Sequence, residues 1–523
     1  MHIRVSEHLS AARWVLVGAA ALLAACSQEP QPYDVAEVSL AQISTDLAEG
    51  RITSKSLTQA YMDRIQTFDD ALQSVIAIAP DALEQAAAAD ARRENGETRG
   101  PLDGVPILIK DNIDLAGMPN TAGSLALAEN IPANDAPMIA RLKNAGAVIL
   151  GKTNLSEWAN FRSSNSSSGW SAVGGLARNP YNTDYSACGS SSGSGVAAAV
   201  SFAAATIGTE TDGSVTCPAS VNGLVGLKPT VGLVSRTGII PIAASQDTAG
   251  PMARTVTDAA MLLNGMAGND AEDPATHEAN AHLTDYTRGL NAEALNGVRL
   301  AVWVPSRDYD EQTVAAFDAA LEVLSGQGAE LIEFVYEPSD DESNYEMLVL
   351  LTEFKDGIKA YLSNAPQAVQ PRSLADLIAF NASEPRELEH FGQELFEAAQ
   401  ETGGLADPEY VKARADLKRL AGPEGIDRLL AANNAVAIVT PTTGPAWPIT
   451  LGDGDSYGAS ATQLPATSGY PHLTVPMGLA GGLPVGLSFI GPAWSESLLL
   501  SLGYAYEQAA NARVPPPALS KSE

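Results

Sequence analysis

Two clusters of hydroxyl groups stand out in the chain. Gly189-Ser-Ser-Ser-Gly193 opens a stretch too rich in glycine and serine for a core, and Asp212-Gly213-Ser214 closes it with a second polar turn. Between them, Val196 to Ala205 is a run of small residues that reads as one slim helix. Such a helix lets its neighbours approach closely, so the two turns could lie side by side and form a nucleophile with its activator. Gly189 to Gly193 also matches G-x-S-x-G around Ser191, the elbow pattern of α/β-hydrolases, but that pattern needs a preceding strand and a suitably placed histidine. Of His277, His282, His390 and His472, only the last, in Gly469-Tyr-Pro-His, sits in a site-like setting. Gly193-Ser-Gly195 is weak as a dinucleotide loop, because Ala198 occupies the place of the third glycine and no strand leads in.

A serine nucleophile without imidazole needs another base, and a neutral lysine can serve. Desolvation disfavours the ammonium and lowers a buried lysine's pKa by about 3–5 units. Lys110 meets that need. It follows the wholly apolar strand Val105-Pro-Ile-Leu-Ile109, which delivers Lys110-Asp111-Asn112 from the core into a loop.

Lys110-Asp-Asn, Gly189-Ser-Ser-Ser-Gly and Gly208-Thr-Glu-Thr-Asp-Gly-Ser214 together resemble the amidase signature family. Gly223-Leu-Val-Gly-Leu-Lys-Pro-Thr, Ser245-Gln-Asp-Thr-Ala-Gly-Pro and Gly482-Leu-Pro-Val-Gly-Leu-Ser-Phe-Ile-Gly-Pro extend the likeness over roughly 35–265 and 430–512. Asn160-Phe-Arg-Ser, Gly469-Tyr-Pro-His-Leu-Thr-Val-Pro-Met-Gly and Gly491-Pro-Ala-Trp-Ser-Glu are most similar to the bacterial peptide amidases. The resemblance implies a catalytic triad of Lys110, Ser190 (held by a cis peptide bond) and the nucleophile Ser214, with the two serines at the family's spacing. It implies an oxyanion hole of backbone N–H groups from Thr211, Asp212, Gly213 and Ser214, and a supporting role for Ser191 toward Ser190 and Lys110. Asp212 stands where glycine is usual in the family, which a backbone donor tolerates if its φ is negative. No metal or other cofactor is implied.

The implied reaction is hydrolysis of a carboxamide, in a peptide or an amino-acid amide, to carboxylate and ammonia through an acyl-enzyme. Aryl or aliphatic amides and esters are the nearer alternatives, because the same acyl-enzyme accepts them. A ligand-binding surface lipoprotein on a decayed scaffold is the rival from another class, and the presence of all three triad residues speaks against it.

The elements that must carry these residues alternate along the chain. Ser39 caps a helix to Glu49, and Ser54 caps a second with Leu57, Tyr61 and Ile65 on one face. Val75–Ala79, Val105–Ile109 and Ala147–Leu150 read as strands, and Asp81–Asn95 and Met138–Asn144 as helices. The alternation predicts an α/β fold, and the resemblance a single large domain with a mixed, mostly parallel β-sheet sandwiched between α-helices. Residues 36–512 form that domain. Within it, 265–430 is a mostly helical, variable region for substrate specificity. Ala435–Val439, Leu473–Pro476 and Pro484–Ile490 supply further strands, Ser497–Ala510 a last helix, and 513–523 a Pro-rich tail.

Length alone, 523 residues, suggests two domains. With 45% apolar and 18% charged residues the chain can bury a large core. A net charge of -31 argues against a nucleic-acid partner, since counterion release requires a basic face. Residues 1–25 read as a signal peptide, with Arg4 and Arg13 ahead of the apolar run Trp14–Ala25. Leu23-Ala24-Ala25-Cys26 resembles the lipobox of bacterial lipoproteins. Cys26 would then take the lipid, residues 26–35 would form a tether, and Ser27 would direct the protein to the outer membrane facing the periplasm. Such a protein never meets charged tRNA. The remaining cysteines, Cys188 and Cys217, are expected as buried free thiols, with a disulfide permitted in an oxidising compartment. Asp453-Gly-Asp455 is expected as a solvated acidic turn rather than a calcium site.

Overall fold

The apolar segments pair into one eleven-stranded sheet in the computed structural model, which describes residues 33–304, 308–336, 340–517 and 519. In chain order the strands are β1 (Val75–Ile78), β2 (Pro106–Lys110), β3 (Val148–Thr153), β4 (Trp170–Ser171), β5 (Gly175–Leu176), β6 (Ala205–Glu210), β7 (Val225–Lys228), β8 (Thr248–Ala253), β9 (Arg299–Trp303), β10 (Glu330–Phe334), β11 (Ala437–Pro441), β12 (His472–Ala480) and β13 (Leu483–Ile490). β4 and β5 make a separate ribbon, and the rest run β1-β3-β2-β6-β8-β7-β12-β13-β11-β9-β10.

The sheet is mixed and flanked by helices. Parallel order is confined to two blocks, β3-β2-β6 and β11-β9-β10, while the central pairings from β6 to β11 and the β1–β3 edge are antiparallel. Parallel neighbours need a crossover of a dozen or more residues, and helices Pro137–Asn144 and Glu311–Gly326 lie in those between β2 and β3 and between β9 and β10. By contrast β12 and β13 are joined by Gly481 and Gly482 alone, both at positive φ, as a two-residue hairpin requires.

Several elements differ in detail from expectation. Thr53, not Ser54, caps the helix Ser54–Phe68, through a box in which Thr53 and Ser56 exchange hydrogen bonds. Lys110 closes β2 rather than standing in a loop. The slim helix is Ser192–Ala199, shorter and earlier than the small-residue run, which then turns at Ser201 (φ 59°) and continues as β6 from Ala205. Helix and strand lengths of about 12 Å and about 20 Å thus carry the chain out and back. The region 265–430 is not helical throughout, since β9 and β10 extend the sheet from it. Its long helix Asp340–Ser363 supplies Phe354, Ile358 and Leu362 to a buried cluster with Trp158, Phe161 and Phe396. That cluster seats the helical region against the loop that carries Asn160.

The described residues from Val35 onward form one compact unit. Among the described residues no helix is long and apolar enough to cross a membrane. Cys26 and residues 1–25 lie outside the described residues.

Candidate active site

At the end of β2 the Lys110 side chain is fully buried and reaches across to β6. Its Nζ lies 2.7 Å from Ser190 Oγ, 2.9 Å from Thr209 Oγ1 and 3.3 Å from Thr209 O. Burial pushes the Lys110 ammonium down to about 7, against the opposing pull of Asp247 and Glu210. A neutral amine has two N–H donors and one lone pair, which matches this surround: two oxygens of Thr209 to receive hydrogens, and one serine hydroxyl to donate. Asn112 Nδ2 also donates to Thr209 Oγ1 (2.9 Å). Next to it, Asp111 pairs with buried Lys152 of β3 at 2.9 Å and accepts from the Thr121 hydroxyl and N–H, which holds the turn that follows Lys110.

The peptide bond between Gly189 and Ser190 is cis, and the Ser190 carbonyl accepts from Ser156 N–H at 3.0 Å. Ser191 donates from Oγ to Thr209 O (3.0 Å) and accepts from Thr209 N–H (3.2 Å). Its support therefore reaches Lys110 through Thr209, not through the Ser190 side chain. Ser191 N–H also donates to Ser214 O at 3.2 Å, joining the two hydroxyl-bearing turns.

Ser214 Oγ makes no hydrogen bond among the described residues and opens onto a cavity of about 280 Å3. Its turn is held from three sides. Glu210 Oε2 accepts from the N–H groups of Val215 (2.8 Å) and Thr216 (2.9 Å) and from the Thr216 hydroxyl (3.1 Å). Thr211 Oγ1 donates to Asp247 Oδ1, whose other oxygen accepts from Ile242 and Ala243 N–H. Gly213 has φ 75°, and a Cβ there would come within 3.1–3.3 Å of Thr462. Asp212 is not among the residues with positive φ. The N–H groups of Thr211, Asp212, Gly213 and Ser214 find no acceptor among the described residues. They are donors left over beside a serine hydroxyl, the arrangement that stabilises a developing oxyanion. Burial and the neighbouring Glu346 push the Asp212 carboxyl well above the usual carboxylate range.

Two expectations need correction here. Cys188 and Cys217 are not free thiols: they form a disulfide, with Cα atoms 6.1 Å apart. The out-and-back path of the Ser192–Ala199 helix and β6 brings the two turns close enough for it. Asp455 is not a solvated turn residue either, because it is partly buried in the cavity wall and accepts from Trp447 Nε1 and Ser168 N–H, both 3.1 Å. Its neighbour Asp453 is exposed. No group of three potential metal ligands occurs among the described residues.

His472 lies away from this cavity. It is buried at the start of β12, its Nε2 2.6 Å from Ser488 Oγ, and burial together with Lys228 pushes it down to about 3. A larger cavity of about 690 Å3, lined by Thr230, Arg236, Arg414 and Trp494, contains neither Lys110 nor the two serines. Thr209, Glu210, Asp247 and Lys152 are not singled out by the sequence alone. The first two stand inside Gly208-Thr-Glu-Thr-Asp-Gly-Ser214 and Asp247 inside Ser245-Gln-Asp, so motif membership is the available signal.

A protein-family model described as amidase matches residues 56–500. A probable amidase of Arabidopsis thaliana is 38% identical over 497 residues, spanning 92% of each chain. One of the subunits of a glutamyl-tRNA(Gln) amidotransferase, from Pseudomonas putida, is 36% identical over 496 residues, 90% of this chain and 97% of that one. Among solved structures, the native peptide amidase from Stenotrophomonas maltophilia superposes with a TM-score of 0.88 at 51% identity, covering 93% of this chain and 99% of that one.

Proposed function

The chain belongs to the amidase signature family and is a hydrolase of amide bonds, and on that premise we propose that it converts C-terminal carboxamides of peptides or amino acids to carboxylate and ammonia through an acyl-enzyme on Ser214. The observation that carries this reading is the buried Lys110 amine 2.7 Å from Ser190 Oγ. Ser214 Oγ attacks the amide carbon and gives its proton to Ser190, which passes its own to neutral Lys110. The Ser190–Ser214 contact closes when substrate arrives, as catalytic hydrogen bonds commonly tighten only in the Michaelis complex. Backbone N–H groups of Thr211 to Ser214 receive the oxyanion. The relayed proton then returns to the leaving nitrogen and ammonia departs. Water, activated by the same relay, attacks the ester, releases the acid and restores Ser214.

The peptide-amidase reading is favoured over a tRNA-linked one by 51% against 36% identity and by the net charge of -31. The proposed address, a lipid on Cys26 at the periplasmic side of the outer membrane, is supported by the lipobox and by a disulfide, which persists in oxidising compartments. Measuring ammonia released from peptide, amino-acid, aryl and aliphatic amides, and acid released from a peptide methyl ester, tests the function. The reading requires peptide or amino-acid amides to lead, and release from aryl amides alone would overturn it. Fatty-acid labelling of wild type but not of Cys26→Ala tests the anchor.

A further inference from the structure

The cavity at Ser214 carries negative charge without a cation to answer it. Asp455 lines its wall, held by Trp447 Nε1–H and by Ser168 N–H, the latter shared with Oδ2 at 3.3 Å. No lysine, arginine or histidine lines the cavity, and among the described residues Asp455 has no ion-pair partner. Beside it stand two aromatic rings, Trp447 and Tyr457, with centroids 5.4 Å apart and planes at 71°. Two further acceptors in the same wall, Asn160 Oδ1 and Asp212 Oδ1, are buried without a hydrogen-bond partner. A carboxylate at the edge of one indole, in a cavity that two aromatic rings also line and with oxygen acceptors nearby, suits an ammonium group, which is attracted to both charge and rings.

We infer that Asp455 selects short peptide amides with a free, cationic N-terminus, binding that ammonium while the carboxamide lies at Ser214. The inference rests on the amide-hydrolase reading of this site. A cavity of about 280 Å3 has room for a substrate of about two residues. Burial raises the Asp455 carboxyl above its usual range, a shift that an arriving ammonium reverses.

The test compares glycyl-phenylalaninamide with its N-acetyl form, in wild type and in Asp455→Asn, at pH 7. Asparagine keeps an oxygen for Trp447 and Ser168 but removes the charge. Wild type should prefer the free amine at least tenfold in kcat/KM, mostly through KM. Asp455→Asn should lose that preference while handling the acetylated peptide within about threefold of wild type. Equal or faster turnover of the acetylated peptide by wild type overturns the inference, as does an equal loss on both substrates in a variant with unchanged thermal unfolding. Wild type offers a second check that needs no variant. Raising the pH above the substrate amine's pKa, about 8, must erase the preference, since both substrates share the same active-site titration. If wild type releases ammonia from neither peptide, the peptide-amidase reading itself has failed.

Discussion

Cys188 and Cys217 join the two turns of the site, the first lying two residues before Ser190 and the second three residues after Ser214. The cross-link therefore spans the proposed relay and nucleophile, and both cysteines line the same cavity. Closing a loop with a sequence separation of 29 removes unfolded-state freedom equivalent to roughly 3–4 kcal/mol in the chain-entropy model. Replacing both cysteines by alanine should lower unfolding stability by that order in urea titrations. It should also reduce kcat more than it raises KM, because the spacing of the turns relaxes while Asp455, Trp447 and Tyr457 still line the cavity.

Removing the proton chain should separate its members. Lys110→Ala is expected to abolish amide hydrolysis at every pH, and Ser214→Ala to abolish both turnover and labelling by a serine-directed covalent probe. Ser190→Ala should leave a small residue of activity, with a loss of about 10²–10⁴-fold as for other general-base groups. Steady-state rates and intact-mass spectrometry check all three, and labelling that survives Ser214→Ala would refute the assignment.

Wild-type activity should fall on the acid side. With Lys110 at about 7, the neutral amine is about 1% of the population at pH 5 and about 90% at pH 8, so kcat/KM should differ by about a hundredfold. Equal rates at those two values would contradict a lysine base. The same depressed value makes the unfolded chain bind a proton that the folded chain has released. This site's contribution to folding stability therefore rises with pH from about 7 up to the usual lysine range.

Breaking the Lys152–Asp111 pair should be costly, because both side chains are buried at 1% exposure and 2.9 Å apart. Lys152→Met leaves a buried carboxylate without its cation, a change worth roughly 3–5 kcal/mol. Thermal unfolding should reveal the loss. The Lys110-Asp111-Asn112 turn should shift with it, so kcat falls even where the variant remains folded.

Glu210 fastens the turn of the proposed nucleophile, Ser214, through three hydrogen bonds to one oxygen. Glu210→Ala strips the acceptor from two buried N–H groups, each worth about 1–3 kcal/mol when left unsatisfied. The expected result is a destabilised protein with a lower kcat and a little-changed KM. A variant that loses stability but keeps wild-type kcat would show that the turn holds its shape by other means.

Local chemistry makes much of this legible along the chain. Apolar runs ending in Gly, Pro or polar residues mark β2, β3, β12 and β13, because a strand buried on both faces tolerates little else. Lys110 is a candidate from its place after an apolar strand, while Ser190 and Ser214 are singled out among the many serines of the two turns by the resemblance to the amidase signature family. What alternation along the chain does not carry is direction. Long connections join antiparallel neighbours too, as from β6 to β8 and from β7 to β12, so the antiparallel centre of the sheet emerges only in three dimensions. The slim helix departs from its expected bounds for a related reason. Ala and Val suit helix and strand alike, and packing between neighbours, not propensity, ends the helix at Ala199 and starts β6 at Ala205.

The sequence by itself determined the chemistry on offer, namely an amine that starts from the core, two hydroxyl turns and a surplus of negative charge. Tertiary structure alone decided who meets whom: Lys110 with Thr209 and Ser190, Cys188 with Cys217, Asp455 with Ser168. Those contacts join residues far apart along the chain, and burial, which pushes the Lys110 amine to about 7, is a property of the packed assembly and of no single segment.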